Sequence, residues 1–180
     1  MDSREVIRRY LQDAIAAAVT FESRLRSFSQ EGDDEEVRSL FALHATQAHV
    51  QYERLTDRLE QLGGAPSGAK DLLAQLLGIL PRTVQLAHRQ EERTAQDLVT
   101  AFAVAHAACA MYQSLASVTR AAGDTLTEAL ARQFEAEERE TAEKIWRFIP
   151  SRAKIAFNML TPQEIDPAVE TKAADDRILT

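Results

Sequence analysis

The chain has 180 residues, enough for one domain with a sizeable core, and its 45% hydrophobic and 27% charged residues are typical of a globular protein. The formal charge of −7 provides no basic surface, which argues against a nucleic-acid partner. A charged N-terminus with no apolar stretch after it argues against a secretory signal, and no run approaches the roughly 20 apolar residues of a membrane span. A single cysteine excludes an internal disulfide, so we expect a protein of the reducing cytoplasm. Because no apolar run is long enough to span a membrane, we expect no membrane partner.

The first two predicted helices each carry one apolar stripe. Over residues 3–28, apolar side chains recur at alternating spacings of three and four, the period of an amphipathic helix. The acidic stretch 31–34 ends this helix and offers an aspartate as N-cap for the next one. The second stripe covers residues 37–62, and the glycine-rich residues 63–68 predict a linker after it.

A short helix and two further long helices follow. The apolar residues 71–80 end at a proline, and a helix of this length suits a crossover connection between the two halves of a bundle. The third long helix is predicted over about residues 82–121, and its second half is apolar on nearly all sides, which is typical of a buried central helix. Gly123 and Asp124 end it and cap the fourth helix, which we expect to end at Pro150.

The residues after Pro150 are predicted to form a separate C-terminal segment. Residues 151–160 suit one further short helix, whose apolar side chains would cover surface on this chain or on a neighbouring subunit: Ile155, Phe157, Met159 and Leu160. From Asp166 the composition is polar and charged, which predicts a loose tail. We therefore divide the chain into a bundle, residues 1–150, and a short helix with a flexible tail, residues 151–180.

Four long helices with one long connection predict an all-α, ferritin-like four-helix bundle with a short crossover helix and a C-terminal helical extension. Two stretches of sequence also carry a family resemblance. Residues 52–66 contain Tyr-Glu-Arg-Leu and then Leu-Glu-Gln-Leu-Gly-Gly-Ala-Pro, and residues 137–145 are Glu-Glu-Arg-Glu-Thr-Ala-Glu-Lys-Ile. Together with the leucine-rich residues 72–77, they resemble the bacterial YciE/YciF-type stress-associated proteins of the ferritin-like superfamily, over roughly residues 8–149.

The resemblance implies a di-iron site, in which two helices each supply one carboxylate and two others each supply a Glu-x-x-His type of pair. This chain departs from that pattern. In the third helix, the family's Val-Glu-His-Tyr-Glu-Ile-Ala-Ala-Tyr-Gly places its two glutamates at Ala105 and Ala108. In the second helix Gln47 replaces a carboxylate, and in the fourth helix Glu138 is followed by Thr141 at the i+3 position.

Four residues remain as possible metal ligands: Glu22, His44, His106 and Glu138. Glu22 flanks the first apolar stripe, where an acidic residue is more often solvated. His44 suits a hydrogen-bonded core layer with two nearby glutamines, and His106 suits a hydrogen-bonded core histidine. Glu138 is close to the core face and is the best candidate, because a buried lone carboxylate is costly unless it is paired or bound to a metal; the alternative is a position at the bundle edge beside an arginine.

The sequence therefore favours a ferritin-like bundle without a usual di-iron centre, acting as a non-catalytic structural or binding protein, with a role in stress response implied by the resemblance. On this hypothesis we expect no catalytic residue, no cofactor and no bound metal. The alternative is a metal-dependent oxidase or metal-storage protein that holds iron or manganese in a rearranged site built from the four candidates. We expect a homodimer, the commonest closed assembly, and leave open a small ligand.

Overall fold

The computed structural model describes residues 2–66 and 92–161, and this part of the chain forms four long helices. They are α1 (Ser3–Glu31), α2 (Glu35–Gln61), α3 (Arg93–Ala122) and α4 (Thr125–Leu160). The predicted all-α fold is confirmed. The predicted crossover helix over residues 71–80, the start of the third helix and the tail lie outside the described residues.

Helices that pack against each other are antiparallel. The Arg8 guanidinium on α1 donates to the backbone oxygen of Gly63, just after α2, and the carboxylate of Glu31 at the end of α1 pairs with Arg93 at the start of α3. A two-residue turn joins α3 to α4. The end of α2 and the start of α3 therefore lie at opposite ends of the bundle, about 40 Å apart for a helix of 27 residues. A bundle with one such crossover has the topology of ferritin-like folds.

The N-caps of α2 and α4 are aspartates, and an arginine from the other helix holds each of them. The Asp34 carboxylate caps α2 and accepts from Arg152 Nε at 2.8 Å. The Asp124 carboxylate caps α4 and accepts from Arg58 Nη2 at 2.9 Å. Since α2 and α4 are antiparallel, the two ion pairs tie this helix pair together at both ends.

We expect Arg58→Met to lower the free energy of unfolding by about 3 kcal/mol, because it leaves the largely buried Asp124 carboxylate without its cation. Urea denaturation followed by circular dichroism measures the change. Arg120→Met is the matched control: its pair with Glu128 uses a largely exposed arginine, so a loss below about 1 kcal/mol is expected. Equal losses in the two variants would contradict the role given to Arg58.

Helix α4 continues through Pro150, so the prediction that the fourth helix ends there is wrong. A proline inside a helix removes one backbone hydrogen bond, but its fixed φ is compatible with helical backbone. Arg152 holds the following turn, through its bond to the N-cap aspartate of α2 and through a guanidinium that lies 4.8 Å from the centre of the Phe148 ring. Residues 151–160 are therefore the last turns of a bundle helix rather than a separate short helix, and the predicted boundary falls inside α4.

Two apolar clusters fill the interior of the bundle, and polar side chains lie between them. The cluster near the start of α1 includes Leu11, Leu55, Leu115 and Phe134. The cluster near the end of α1 includes Phe21, Phe41, Leu98 and Ile145. Along α4, the buried Glu138 lies between Phe134 of one cluster and Ala142 of the other. Gln51 occupies the same level on α2, where its amide bonds to the neighbouring Glu137. The polar residues therefore mark the midpoint of the bundle.

Helix α3 has a buried face and a solvent-facing side, so the prediction of burial all round is wrong. Ala105 and Ala108 lie in the core, whereas Ala103, His106 and Ala110 are exposed. The physical reason is that, among the described helices, α3 packs mainly against α1 and α4, which leaves its other side to water, where small apolar residues are tolerated. By length and composition alone α3 could cross a membrane, but its buried face packs on α1 and α4.

Candidate functional site

The candidate site is the set of polar side chains at the bundle midpoint, which we call the polar layer: His44, Gln51, Tyr112, Glu138 and Thr141. Each is at most 2% exposed to solvent. Helix α2 provides the first two and α4 the last two, while α3 provides only the phenol. The layer is thus built mainly by α2 and α4, the two helices that the aspartate–arginine ion pairs hold together.

Tyr112 and Gln51 form a hydrogen-bonded chain that leads toward the surface. The Tyr112 hydroxyl donates to Gln51 Oε1 at 2.9 Å, and Gln51 Nε2 donates to Glu137 Oε2 at 3.0 Å. Burial raises the pKa of Tyr112 well above its usual value, so the phenol keeps its proton. The oxygen and the nitrogen of the Gln51 amide are therefore both hydrogen-bonded within the protein.

His44 is the second bonded group, and its contacts fix which nitrogen carries the proton. His44 Nδ1 lies 3.0 Å from Thr141 Oγ1 and 3.2 Å from Gln47 Oε1. Since Thr141 Oγ1 donates to the backbone oxygen of Glu137, its oxygen accepts from His44 and the imidazole proton is on Nδ1. Burial lowers the pKa of His44, so the ring is neutral at pH 7, and its Nε2 is buried without a partner in the described part of the chain. As predicted, His44 belongs to a hydrogen-bonded core layer.

Glu138 is the buried carboxyl group of the layer. It lies in the core and not at the bundle edge, the alternative that the sequence left open. Its Oε2 has no hydrogen-bond partner among the described residues. Burial raises the pKa of Glu138 to about 8, against a smaller lowering by the Gln51 amide. At neutral pH the side chain is therefore a protonated acid with no net charge.

Glu22 lies away from the polar layer, in the groove between α1 and α2. Its carboxylate pairs with Arg26 at 2.8 Å and with His49 Nδ1 at 3.0 Å. His49 Nε2 also lies 3.5 Å from Glu53 Oε1, on an exposed face. The cross-helix contact between Glu22 and His49 has no signal in the sequence, because it depends on how α1 packs on α2.

His106 is exposed on α3, so the prediction of a core histidine is wrong. The core face of α3 passes through Ala105 and Ala108, and His106 is turned about 100° from Ala105 around the helix. The four candidate ligands therefore do not come together. In the part of the chain that the structure describes, no group of three or more His, Cys, Asp or Glu side chains could hold a metal ion.

The donors at the bundle midpoint do not fit a di-iron centre. Such a centre takes carboxylates from all four helices, because iron there requires several hard oxygen ligands. Here α4 offers one buried carboxyl group, α2 offers an amide and an imidazole, and α3 fills its positions with Ala105 and Ala108. On α1 the apolar clusters meet between Ala18 and Phe21, where the buried Thr20 hydroxyl donates to the backbone oxygen of Ala16. The Glu22 carboxylate that follows pairs with Arg26 and His49.

The Tyr112–Gln51 bond is not predicted by the sequence, although one signal points to it. Tyr112 lies seven residues after Ala105, on the same face of a helix, and a buried tyrosine hydroxyl normally has a hydrogen-bond partner. That signal identifies the need for a partner but not which residue provides it.

We expect Tyr112→Phe to destabilise the protein by about 1–2 kcal/mol, because it leaves the buried Gln51 Oε1 without a donor. Chemical denaturation measures the loss. Tyr10→Phe is the control, since Tyr10 is partly buried against the same cluster without a hydroxyl bond among the described residues. If both substitutions have the same effect, the hydrogen bond contributes nothing to stability.

The sequence also matches a known family. A family model described as a domain of unknown function, DUF892, matches residues 2–157. The chain belongs to the DUF892 family. No curated protein matches the sequence.

Solved structures place the DUF892 chain among ferritin-like proteins. The stress protein YciF of E. coli is 20% identical, with 86% of this chain and 98% of YciF covered and a TM-score of 0.73. A protein from Xanthomonas campestris pv. campestris is 18% identical, with 88% and 98% covered and a TM-score of 0.73. The bacterioferritin-related protein of Bacteroides fragilis, described as a dodecameric thioferritin, is 17% identical, with 89% and 94% covered and a TM-score of 0.64. The predicted ferritin-like fold and the resemblance to YciF are confirmed, and at these identities the likeness establishes the fold alone.

Proposed function

We propose that this protein is a ferritin-like bundle without a usual di-iron centre, and that it acts as a non-catalytic structural or binding protein in the bacterial stress response. The observation that carries the proposal is that two pairs of side chains in the polar layer bond to each other: Tyr112 bonds to Gln51, and His44 Nδ1 bonds to Thr141. A metal ion that used the Tyr112 hydroxyl, the Gln51 amide oxygen or His44 Nδ1 would have to break one of those bonds. The stress role extends to this chain the description of YciF as a stress protein.

The packing of α3 supports the same proposal. Ala105 and Ala108 are buried, and each belongs to one of the two apolar clusters. Alanine side chains let neighbouring helices approach closely, and they provide no electron pair for a metal. Stability therefore comes from apolar packing at positions where the family resemblance implies carboxylates.

The alternative is a metal-dependent oxidase or metal-storage protein that binds iron or manganese. One observation favours it: Glu138 Oε2 and His44 Nε2 are buried polar atoms without a partner among the described residues. A carboxylate and an imidazole are suitable ligands for either metal. The other two candidates, Glu22 and His106, lie elsewhere and would not take part.

Aerobic oxidation of iron(II), followed by absorbance in the presence of the purified protein, separates the two functions. The proposal predicts the rate of buffer alone, both for the natural protein and for Glu138→Ala. The alternative predicts a faster rate that Glu138→Ala abolishes while Glu60→Ala, on an exposed part of α2, leaves it unchanged. Such a result would overturn the proposal.

The proposed partner is a second copy of this chain. Of the four apolar side chains predicted to cover a surface, Ile155, Phe157 and Met159 are more than half exposed in the described part of the chain, and Leu160 is partly buried. Their exposure supports the second of the two predicted roles, contact with a neighbouring subunit. Association would bury these side chains, and each Å² of apolar surface removed from water stabilises the dimer by about 25 cal/mol.

We expect the natural protein to sediment as a dimer and the triple variant Ile155→Ser, Phe157→Ser, Met159→Ser to sediment as a monomer with the same helical content. Analytical ultracentrifugation and circular dichroism measure both quantities. The control substitutes the exposed Leu126, at the opposite end of α4, by serine and should remain a dimer. A variant with unchanged mass, or a larger natural assembly such as a dodecamer, would contradict this interface.

A further inference from the structure

An aromatic cleft lies on the outer surface of the bundle between α3 and α4. It has a volume of about 370 Å³ and is lined by Phe102, His106, Arg139, Glu143, Trp146 and Arg147, with Ala142 at its buried floor. This volume is within the range of small-molecule sites, about 300–1,000 Å³. None of the lining residues belongs to the polar layer, so the cleft is separate from the bundle interior.

The rings in the cleft form an exposed platform. Trp146 is the chain's only tryptophan and is 58% exposed. Its ring centre lies 5.2 Å from that of Phe102, and the Phe102 ring packs edge to face on His106 with 4.4 Å between centres. Neighbouring rings hold the indole while they leave much of it in water. A partly exposed indole in a concave surface is typical of a binding site, because covering it removes a large apolar area from water.

The charged groups of the cleft distinguish between ligands. Arg147 is exposed and makes no ion pair with the residues that the structure describes. Arg139 uses Nη2 to bind Glu135 at 2.7 Å, and its other donors have no partner there. A guanidinium binds carboxylate, sulfonate and phosphate groups through paired donors, whereas the Glu143 carboxylate in the same cleft repels them.

We propose that this cleft binds a planar aromatic anion. The ring of the ligand lies on the platform of Trp146 and Phe102, and its anionic group bonds to Arg147. This inference goes beyond the proposed function and does not depend on it, since a metal in the bundle interior would leave the cleft unchanged.

Isothermal titration calorimetry with 2-naphthoate, 2-naphthyl phosphate and the neutral 2-naphthalenemethanol tests the proposal. We expect both anions to bind at one site per chain and the neutral alcohol to bind about tenfold more weakly or not at all. The stronger of the two anions then identifies the anionic group that the cleft prefers. Equal binding of the alcohol, or no binding of either anion, would overturn the proposal.

Three substitutions locate the binding on the cleft. Trp146→Ala should abolish binding of the better anion, Arg147→Gln should weaken it about tenfold, and Glu143→Gln should strengthen it because a repelling charge is removed. Lys154→Gln, an exposed cation further along α4, is the control for net charge and should have no effect. All four side chains are exposed, so circular dichroism should show an unchanged fold.

Weaker binding in Glu143→Gln would indicate a cationic group on the ligand and would contradict the proposed class. A dependence of Trp146 fluorescence on protein concentration without ligand, measured in the variant Ile155→Ser, Phe157→Ser, Met159→Ser, would identify a second copy of the chain as the occupant of the cleft and would contradict the proposal.

Discussion

Glu138→Gln is expected to make the stability of the protein less dependent on pH and to stabilise it above neutral pH. Burial raises the pKa of Glu138 from 4.5 to about 8, so the folded state holds a proton that the unfolded state releases between these values. The contribution of this group is fully present below about pH 4.5 and is lost as the pH rises through about 8. By linkage, the loss over this window is on the order of a few kcal/mol. Glutamine has nearly the same shape as the protonated acid and cannot ionise, so the variant avoids that loss.

Urea denaturation at a series of pH values from 4.5 to 9 measures this effect, as the difference between the natural protein and the variant at each pH. Taking the difference cancels the titration of other groups, such as Asp97, whose pKa burial raises to about 6. Glu60→Gln, on an exposed part of α2, is the matched control and should follow the natural protein at every pH. A constant difference between Glu138→Gln and the natural protein over the whole range would show that Glu138 is ionised in the folded state.

Ala105→Glu is expected to destabilise the metal-free protein by about 3–5 kcal/mol or to prevent folding. Ala105 is fully buried in an apolar cluster, so a glutamate there must displace neighbouring side chains and place a carboxyl group without a partner in the core. This substitution restores a carboxylate at a position where the family resemblance implies an iron ligand. The size of the loss measures how far the core has adapted to alanine.

Ala103→Glu is the matched control for Ala105→Glu. Ala103 lies on the exposed side of the same helix, so the same change in charge and volume should alter stability by less than about 0.5 kcal/mol. Thermal denaturation of both variants with and without added iron(II) completes the experiment. If iron(II) restored the stability of Ala105→Glu, the interior would still be able to hold the metal, and the alternative function would be favoured.

The sequence predicts the helices of this protein well because their signals are local. The apolar stripes identify α1 and α2 within a few residues, and the N-cap aspartates Asp34 and Asp124 lie where the acidic and glycine-containing turns place them. The sequence also places Glu138 close to the core face, although it left open a position at the bundle edge. Each of these features depends on residues within one or two turns of the same helix.

The features that sequence analysis missed depend on contacts between helices. The hydrophobicity of α3 does not show which side faces the core, so His106 was wrongly placed inside. Pro150 on its own indicates the end of a helix, but the contact of Arg152 with Asp34, the N-cap of α2, outweighs that local signal. The bond of Tyr112 to Gln51 joins residues 61 positions apart in the chain, and periodicity carries no information about such a pair.

Metal content tests the central claim most directly. The protein is purified after growth with added iron and manganese, without chelators, and iron, manganese and zinc are measured per chain by inductively coupled plasma mass spectrometry. A bundle whose midpoint is filled by alanines and by polar groups bonded to one another should contain well under one metal ion per chain and remain folded. One or two iron or manganese ions per chain, lost in Glu138→Ala and kept in Glu60→Ala, would contradict this account.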